Sequence, residues 1–576
     1  MFDVSKNSGE SVGTQIAYDE ITAFPTVLFT SYIKESEKMD QQRPRAYIGG
    51  KIFTADDSNP YADSMIVENG IITWIGKEEV MPAGNYERIA LNGRRVLPGF
   101  VDAHMHPVML ASFSQMISCL PPKVHSIAEL IEEIKKTRAE QGPNQWIQGW
   151  GYDEGKFLEK RSPNRYDLDQ GCSDAPVAIM RTCAHIRCVN SKALEMAGIT
   201  KDTPDPEGGC IDRDENGEPT GILRENAKYL INDILPETTR ETEISQLVEL
   251  SRILASQGVT AVTDMGLLDN SDGYLLYSEA AKRGFAQRVG VYYMWDFFKD
   301  DPTFTIPAER FQRDQQVRVA GLKLIGDGSV SGRTAWMNEP YLGSDDNCGL
   351  PVCTDEEIDS AIRFCQKNHC QLSIHSMGGR AIDRIVDRVY REENWLGDDV
   401  PYLRVEHVTE PSDSAIAKAA EKGFGFATQP IFPYCEIESY LTNLGPERTK
   451  KTYPVKKLLE NGVRVCFSTD APATSWAEPS DPFPCIKGGV TRYAYDGTDF
   501  GQDQRVDIET AIRLYTAKSA NMAGFSGIGR LKKNYHADFI ILSDDILAIP
   551  EDQIDKVHVE QTYISGQLKY ERKSAL

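Results

Sequence analysis

The sequence predicts an α/β protein built on a (β/α)8 barrel of the TIM type. A composite β-sandwich from both chain ends and a lid insertion after the first barrel strand complete it. Three observations predict this architecture. Eight short apolar strands recur between residues 99 and 472, helical patterns follow most of them, and β-rich segments stand at both ends of the chain. The length of 576 residues suits one large barrel with attachments, and 40% hydrophobic with 26% charged residues is an ordinary globular composition.

Residues 1–45 form an N-terminal extension without clear periodicity; the apolar patch from Phe24 to Ile33 fits a docking arm as well as a disordered tail. From 46 to 97, AYIGGKIFTA, SMIVENGIITWIG and YERIALNG alternate β-branched and aromatic residues with Asn-Gly and Gly-Gly turns. ADFIILSD and VHVEQTYISGQLKY repeat the pattern within 526–576, so the two ends are expected to assemble one sandwich. Between them, residues 98–525 hold the barrel. Its strands are GFVDAH (99–104), VTAVTDMG (259–266), RVGVYYMW (288–295), VRVAGLKLIG (317–326), QLSIHSMG (371–378), LRVEHV (403–408), GFGFATQP (423–430) and VRVCFSTDAP (463–472). The interval of about 110–250 between the first two strands is too long for a loop and predicts an inserted subdomain over the barrel mouth.

In such a barrel the active site lies at the C-terminal ends of the strands. Four of the nine histidines stand there. His104 and His106 close strand 1 two residues apart, which turns both rings to one side. His375 ends strand 5, His407 ends strand 6, Asp470 ends strand 8, and Lys323 sits among apolar neighbours in strand 4. Each alone has a plainer reading: a hydrogen-bonded structural histidine, a salt-bridged lysine, an Asp in a turn. Together on one rim, unpaired, they would cost several kcal/mol apiece to bury, and a metal removes that cost. Imidazole and carboxylate without thiolate suit zinc, with manganese, iron, cobalt or nickel as alternatives. Two metals need a bridging anion besides water, and a lysine whose pKa is lowered by burial can supply one by taking up CO₂ as a carbamate.

These motifs resemble the amidohydrolase superfamily, and within it the amidohydrolase-3 (YtcJ-like) group of metal-dependent hydrolases, over about residues 46–545. PGFVDAHMHP is similar to the group's first-strand motif, GLKLIGDGSVSGRTAWMNEPY to its lysine segment, IHSMGGRAID and RVEHV to its next histidines, and STDAP to its eighth strand. HIRCVNSKALEMAGI, TPDPEGGCI and GEPTGILRE resemble its insertion. The resemblance implies a binuclear zinc centre. His104, His106 and Asp470 would hold one metal and His375 and His407 the other, with carboxylated Lys323 as bridge. It implies attack by a metal-bridging hydroxide, with Asp470 as the catalytic proton carrier. One position departs from the pattern: Gly379 stands where the group commonly has an acidic residue, and Asp383, a helical turn on, is the nearest substitute.

Substrate contacts are expected from His185 in the lid and from Arg333, Trp336, Tyr152 and Trp476 near strand ends or in the lid. A histidine bonded to its own loop, or aromatics that only pack loops, would look the same in sequence. Arg224 and Glu225 are expected to pair at the surface.

The expected function is therefore hydrolysis of carbon–nitrogen bonds other than peptide bonds in a small amide or N-acyl compound. N-formyl compounds are a candidate class through similarity to deformylases of the group. A cyclic amide, a lactone or ring deamination by the same site is the alternative, although Lys323 counts against a one-metal deaminase. A non-catalytic barrel with a binding role should have lost ligand positions, and all six are present. With 63 Lys+Arg against 86 Asp+Glu, a formal charge of −23 and no basic run, the surface repels phosphate backbones, and no nucleic-acid partner is expected. No apolar run approaches the ~20 residues that span a bilayer, and the start lacks a secretory pattern. The 12 cysteines, Cys183, Cys370 and Cys466 among them, include no C-x-x-C pair and are expected as reduced core thiols. The expectation is a cytoplasmic enzyme with a small-molecule substrate, and the superfamily resemblance adds a homodimer.

Overall fold

Eight strands pair in parallel in the order of the chain. They are strand 1 Phe100–Met105, strand 2 Val259–Asp264, strand 3 Arg288–Met294, strand 4 Val317–Ile325, strand 5 Gln371–Ser376, strand 6 Leu403–His407, strand 7 Gly425–Thr428 and strand 8 Arg464–Phe467. The computed structural model describes residues 43–573 except 143–144, 183–184, 237 and 398, so residues 1–42 of the expected extension lie outside the described residues. Register sets the site residues at successive heights near the mouth: Lys323 of strand 4 pairs with Ser373 of strand 5, two residues below His375, and Ser376 pairs with His407 of strand 6.

Alternate strand residues face the helical layer. Leu322, Leu324, Leu372, Ile374, Leu403 and Val405 join one large buried cluster with the surrounding helices. Those helices have readable causes. Asp355–Asn368 opens with a capping box between Thr354 and Glu357 and ends at His369 in the left-handed region. Gly379–Tyr390 buries Ile382, Ile385, Val386 and Val389, a stripe at helical spacing.

Strands 1 and 8 end the sheet order, and the gap between them is spanned at the mouth. The Asp470 amide donates to the His104 carbonyl at 2.8 Å, and the His106 amide to the Ala471 carbonyl at 2.8 Å. Below these, the buried Asp102 carboxylate accepts from Thr469 Oγ1 at 2.6 Å and from the Tyr515 hydroxyl at 2.7 Å. The barrel is thus nearly closed, with polar groups as the last stitch.

Two further sheets come from the chain ends. One holds 45–48, 64–68, 71–76 and 87–90; the other interleaves 51–53, 61–62 and 95–98 with 539–542, 559–564 and 567–571. Leu97 pairs with Ile540 and Val96 with Ile541 across more than 440 residues of chain. Tyr47, Met65 and Ile72 of the first sheet share a buried cluster with Val96, Phe539 and Tyr563 of the second. The segment after strand 1 forms its own six-stranded sheet from strands between Ile117 and Glu225, with separate cores.

Candidate metal centre

Strand 1 presents His104 and His106 on one side, as their spacing requires. His104 is buried, and its Nδ1 lies 2.7 Å from Glu406 Oε2. A carboxylate only accepts, so Nδ1 carries the proton and the bare Nε2 faces Asp470 Oδ1 at 3.3 Å. His106 Nε2 approaches the same oxygen at 3.4 Å. Asp470 has φ 58°, a left-handed backbone that Asp tolerates better than most side chains, and it follows Thr469, which is bonded to Asp102. Burial alone would raise the Asp470 carboxyl, but His104, His106 and His407 outweigh it and hold it well below the usual range.

His407 uses the same device. Period-two alternation turns it away from Glu406, yet φ values of 77° at His407 and 49° at Val408 redirect the strand end into the mouth. Its Nδ1 lies 3.1 Å from Gln429 Oε1, which fixes the proton there and leaves Nε2 bare. The His375 ring is 4.3 Å from that of His407, and its Nε2 donates to the Gly328 carbonyl at 2.9 Å. Burial, reinforced by Lys323, pushes His375 down to about 4; burial, reinforced by His375, holds His407 well below its ordinary value. Both rings are neutral near pH 7, the state a metal ligand needs. Lys323 is buried, and burial pushes its ammonium down to about 8 against the pull of Glu406 and Asp470.

The donor set fits a divalent cation. His104, His407 and Asp470 each offer one ligand atom, all within 4.8 Å of one another. His106 and His375 stand at the rim of this group, the first against Asp470 and the second against His407. Asp470 Oδ1 and His106 Nδ1 are buried and make no hydrogen bond. With the His104 proton on Nδ1, its bare Nε2 and Asp470 Oδ1 face each other at 3.3 Å as two lone pairs, and a cation converts that repulsion into ligation.

The sequence reading missed the groups behind the ligands: Asp102, Asp327, Arg404, Glu406 and Gln429. Glu406 and Arg404 had a legible signal, since two opposite charges two residues apart in a buried strand share its inward face. Asp327 had none. Its carboxylate accepts from the amides of Trp336, Met377 and Gly378 at 2.8–2.9 Å and lies 3.6 Å from His375 Nε2. Burial pushes it up to about 6. Although the His375 Nε2 proton goes to the Gly328 carbonyl, Asp327 is thus a carboxylate beside His375. Gly379 has no room for one, because a Cβ there would meet Asn338 Nδ2 at 2.5 Å and the Glu410 carbonyl at 2.7 Å. Asp383 does not substitute, since it accepts from Ser412 Oγ at 2.5 Å and ties two outer helices.

The expected substrate contacts all have structural partners. Tyr152 lies in the core of the inserted sheet, and Trp476 packs edge-on against Tyr434 and Tyr495. Arg333 lies over the Tyr341 ring with φ 56°, and the Trp336 indole lies under Arg380. His185 Nδ1 pairs with Glu225 at 2.8 Å on an exposed face. Glu225 therefore does not pair with Arg224, whose guanidinium binds Asp212 at 2.7 Å.

The sequence profile described as Amidohydrolase family matches residues 87–570. YtcJ of Bacillus subtilis is 28% identical over 543 residues, covering 91% of this chain and 99% of that one. An N-substituted formamide deformylase of Arthrobacter pascens is 28% identical over 554 residues, covering 93% and 99%. Among solved structures, an uncharacterized metal-dependent hydrolase from Pyrococcus horikoshii superposes with a TM-score of 0.69 at 27% identity, over 88% of this chain and 99% of that one. The zinc complex of atrazine chlorohydrolase TrzN from Arthrobacter aurescens shares the fold, with a TM-score of 0.51 at 14% identity over 92% and 96%.

Proposed function

Because this chain belongs to the amidohydrolase family, we propose that it hydrolyses carbon–nitrogen bonds other than peptide bonds in a small amide or N-acyl compound, with N-formyl amines as the first class to try. One observation carries this reading: the imidazoles of His104 and His106 converge on a buried Asp470 oxygen that makes no hydrogen bond. His104, His106 and Asp470 would hold one divalent ion, zinc in first place, and His375 and His407 a second. Lys323 would bridge them as its carbamate. Such ions lower the pKa of water towards neutrality and polarise a carbonyl.

The chain's own residues do the rest. The Lys323 amine, with its ammonium pushed down to about 8, has a neutral fraction whose lone pair can form the N–C bond to CO₂ and release a proton to solvent. The Asp470 carboxylate, through the oxygen not engaged with the ion, would take the proton of the attacking water and return it to the leaving nitrogen. A cavity of about 180 Å³ opens beside the loop after Asp470, lined by Met109, Phe113, Trp150, Met180, Pro472 and Thr474. Its walls join the inserted sheet to the barrel, which supports reading residues 110–250 as a water-excluding lid. By the same reading, 46–97 and 526–576 form one composite sandwich and 1–45 an extension. The enzyme is taken as cytoplasmic and homodimeric, acting on a small molecule rather than on nucleic acid or membrane. The charge of −23 supports the nucleic-acid exclusion, and among the described residues no helix is long and apolar enough to cross a membrane.

The test loads metal-free protein with zinc in bicarbonate and assays N-formyl and N-acyl amines for release of the acid and amine. About two ions per chain, turnover that follows metal removal and return, and one ion in Lys323→Ala are expected. A single ion in the wild type, or turnover confined to ring deamination, would overturn this reading.

A further inference from the structure

Strand 6 carries charge where barrels of this type ordinarily pack branched apolar side chains. Arg404 and Glu406 are both fully buried, with Arg404 Nε donating to Glu406 Oε1 at 2.8 Å and Nη2 to Oε2 at 3.1 Å. Arg404 is itself anchored across the barrel, to the Ala103 carbonyl of strand 1 at 2.6 Å and the Tyr292 hydroxyl of strand 3 at 3.1 Å. Ser373 of strand 5 donates to Glu406 Oε1 at 2.8 Å. Glu406 is thus held from two sides, and its Oε2 accepts from His104 Nδ1 at 2.7 Å.

A buried ion pair is weak evidence for stability, since apolar side chains of equal volume often serve as well. Apolar filling cannot, however, decide which nitrogen of His104 bears the proton. This carboxylate does, and the bare Nε2 then points to Asp470. We propose that Glu406, fixed by Arg404 and Ser373, is the positioning residue of the metal centre: it keeps the His104 proton on Nδ1 and aims Nε2 at the ion. The proposal rests on the metal-dependent reading above. Outer carboxylates of this sort set the tautomer and ring plane of a ligating histidine.

The decisive variant is Glu406→Asp. It keeps the negative charge beside Arg404 but withdraws the carboxylate from His104 by one methylene. Metal-free protein would be titrated with zinc against a chromophoric chelator, and ¹⁵N-histidine spectra would report the His104 tautomer, identified against His104→Asn. Zinc affinity is expected to fall about 10–100-fold, and the His104 ring to pass from one tautomer to a mixture, while the melting temperature of the metal-free protein changes little. Glu406→Gln, which strands Arg404, should lose at least as much affinity if near-ultraviolet dichroism shows that it folds; if it does not fold, the Asp variant decides. Wild-type affinity with the proton still on Nδ1 in Glu406→Asp would overturn the proposal alone. A wild-type chain that takes up no zinc would overturn the functional reading with it.

Discussion

Asp470 stands at the meeting of three demands. Its backbone is left-handed, its amide closes strand 8 onto strand 1, and its carboxylate faces three imidazoles without a hydrogen bond to Oδ1. Asn tolerates a left-handed backbone and matches the side chain in shape, so Asp470→Asn should fold while losing the charge and the proton acceptor. Turnover is expected to drop by about 10²–10⁴-fold, the usual worth of a positioned acid–base group. Steady-state kinetics with a thermal melt checks this, and an active variant would remove Asp470 from the mechanism. At this scale the ligand candidates were legible because residue type and strand-end position are local facts. Gln429, Asp327 and Asp102 were not, because their roles depend on loops and strands distant in sequence.

Among the elements, the helix Pro482–Thr491 after strand 8 shows how local chemistry sets pH behaviour. Asp481 caps it, accepting from the Phe483 amide at 3.0 Å, with Pro482 at the first helical position. Burial pushes the Asp481 carboxyl from 3.8 up to about 7. A folded-state pKa above the unfolded one contributes stability below about pH 4 that is lost as pH rises to about 7. Asp481→Asn keeps the cap without the titration. Its stability relative to wild type should therefore rise between pH 4 and 7 and level off above, as urea unfolding at several pH values would report. A gap that stayed constant with pH would contradict this. Because apolar runs between turn residues mark them, strand positions were read to within about two residues, except the end of strand 8, expected at 472 and found at Phe467. The turn of His407 against strand alternation was not readable, since its φ of 77° is imposed by the tertiary setting of the strand end.

For the whole molecule, the largest dependence is between the chain ends. Phe539, Ile540, Ile541, Leu542, Val559, Tyr563 and Ile564 are each buried, and Thr562 Oγ1 donates to the Ala255 carbonyl of the barrel periphery. At about 1.5–3 kcal/mol per buried side chain, their loss matches the whole stability of a typical domain, about 5–15 kcal/mol. A chain ending at residue 536 should fail to accumulate as soluble monodisperse protein, read by the soluble fraction and size-exclusion profile. A well-folded truncated chain would show that the barrel stands without its terminal sheets. What the sequence determined by itself was the fold class, the β-rich ends, the insertion and six ligand candidates, because hydrophobic period and residue type are written locally along the chain. The tertiary structure alone decided which carboxylate stands behind His104, that Gly379 must lack a side chain, and what Tyr152 and Trp476 pack against. Each of these depends on two segments far apart in the chain meeting at ångström range, and no local pattern encodes that distance.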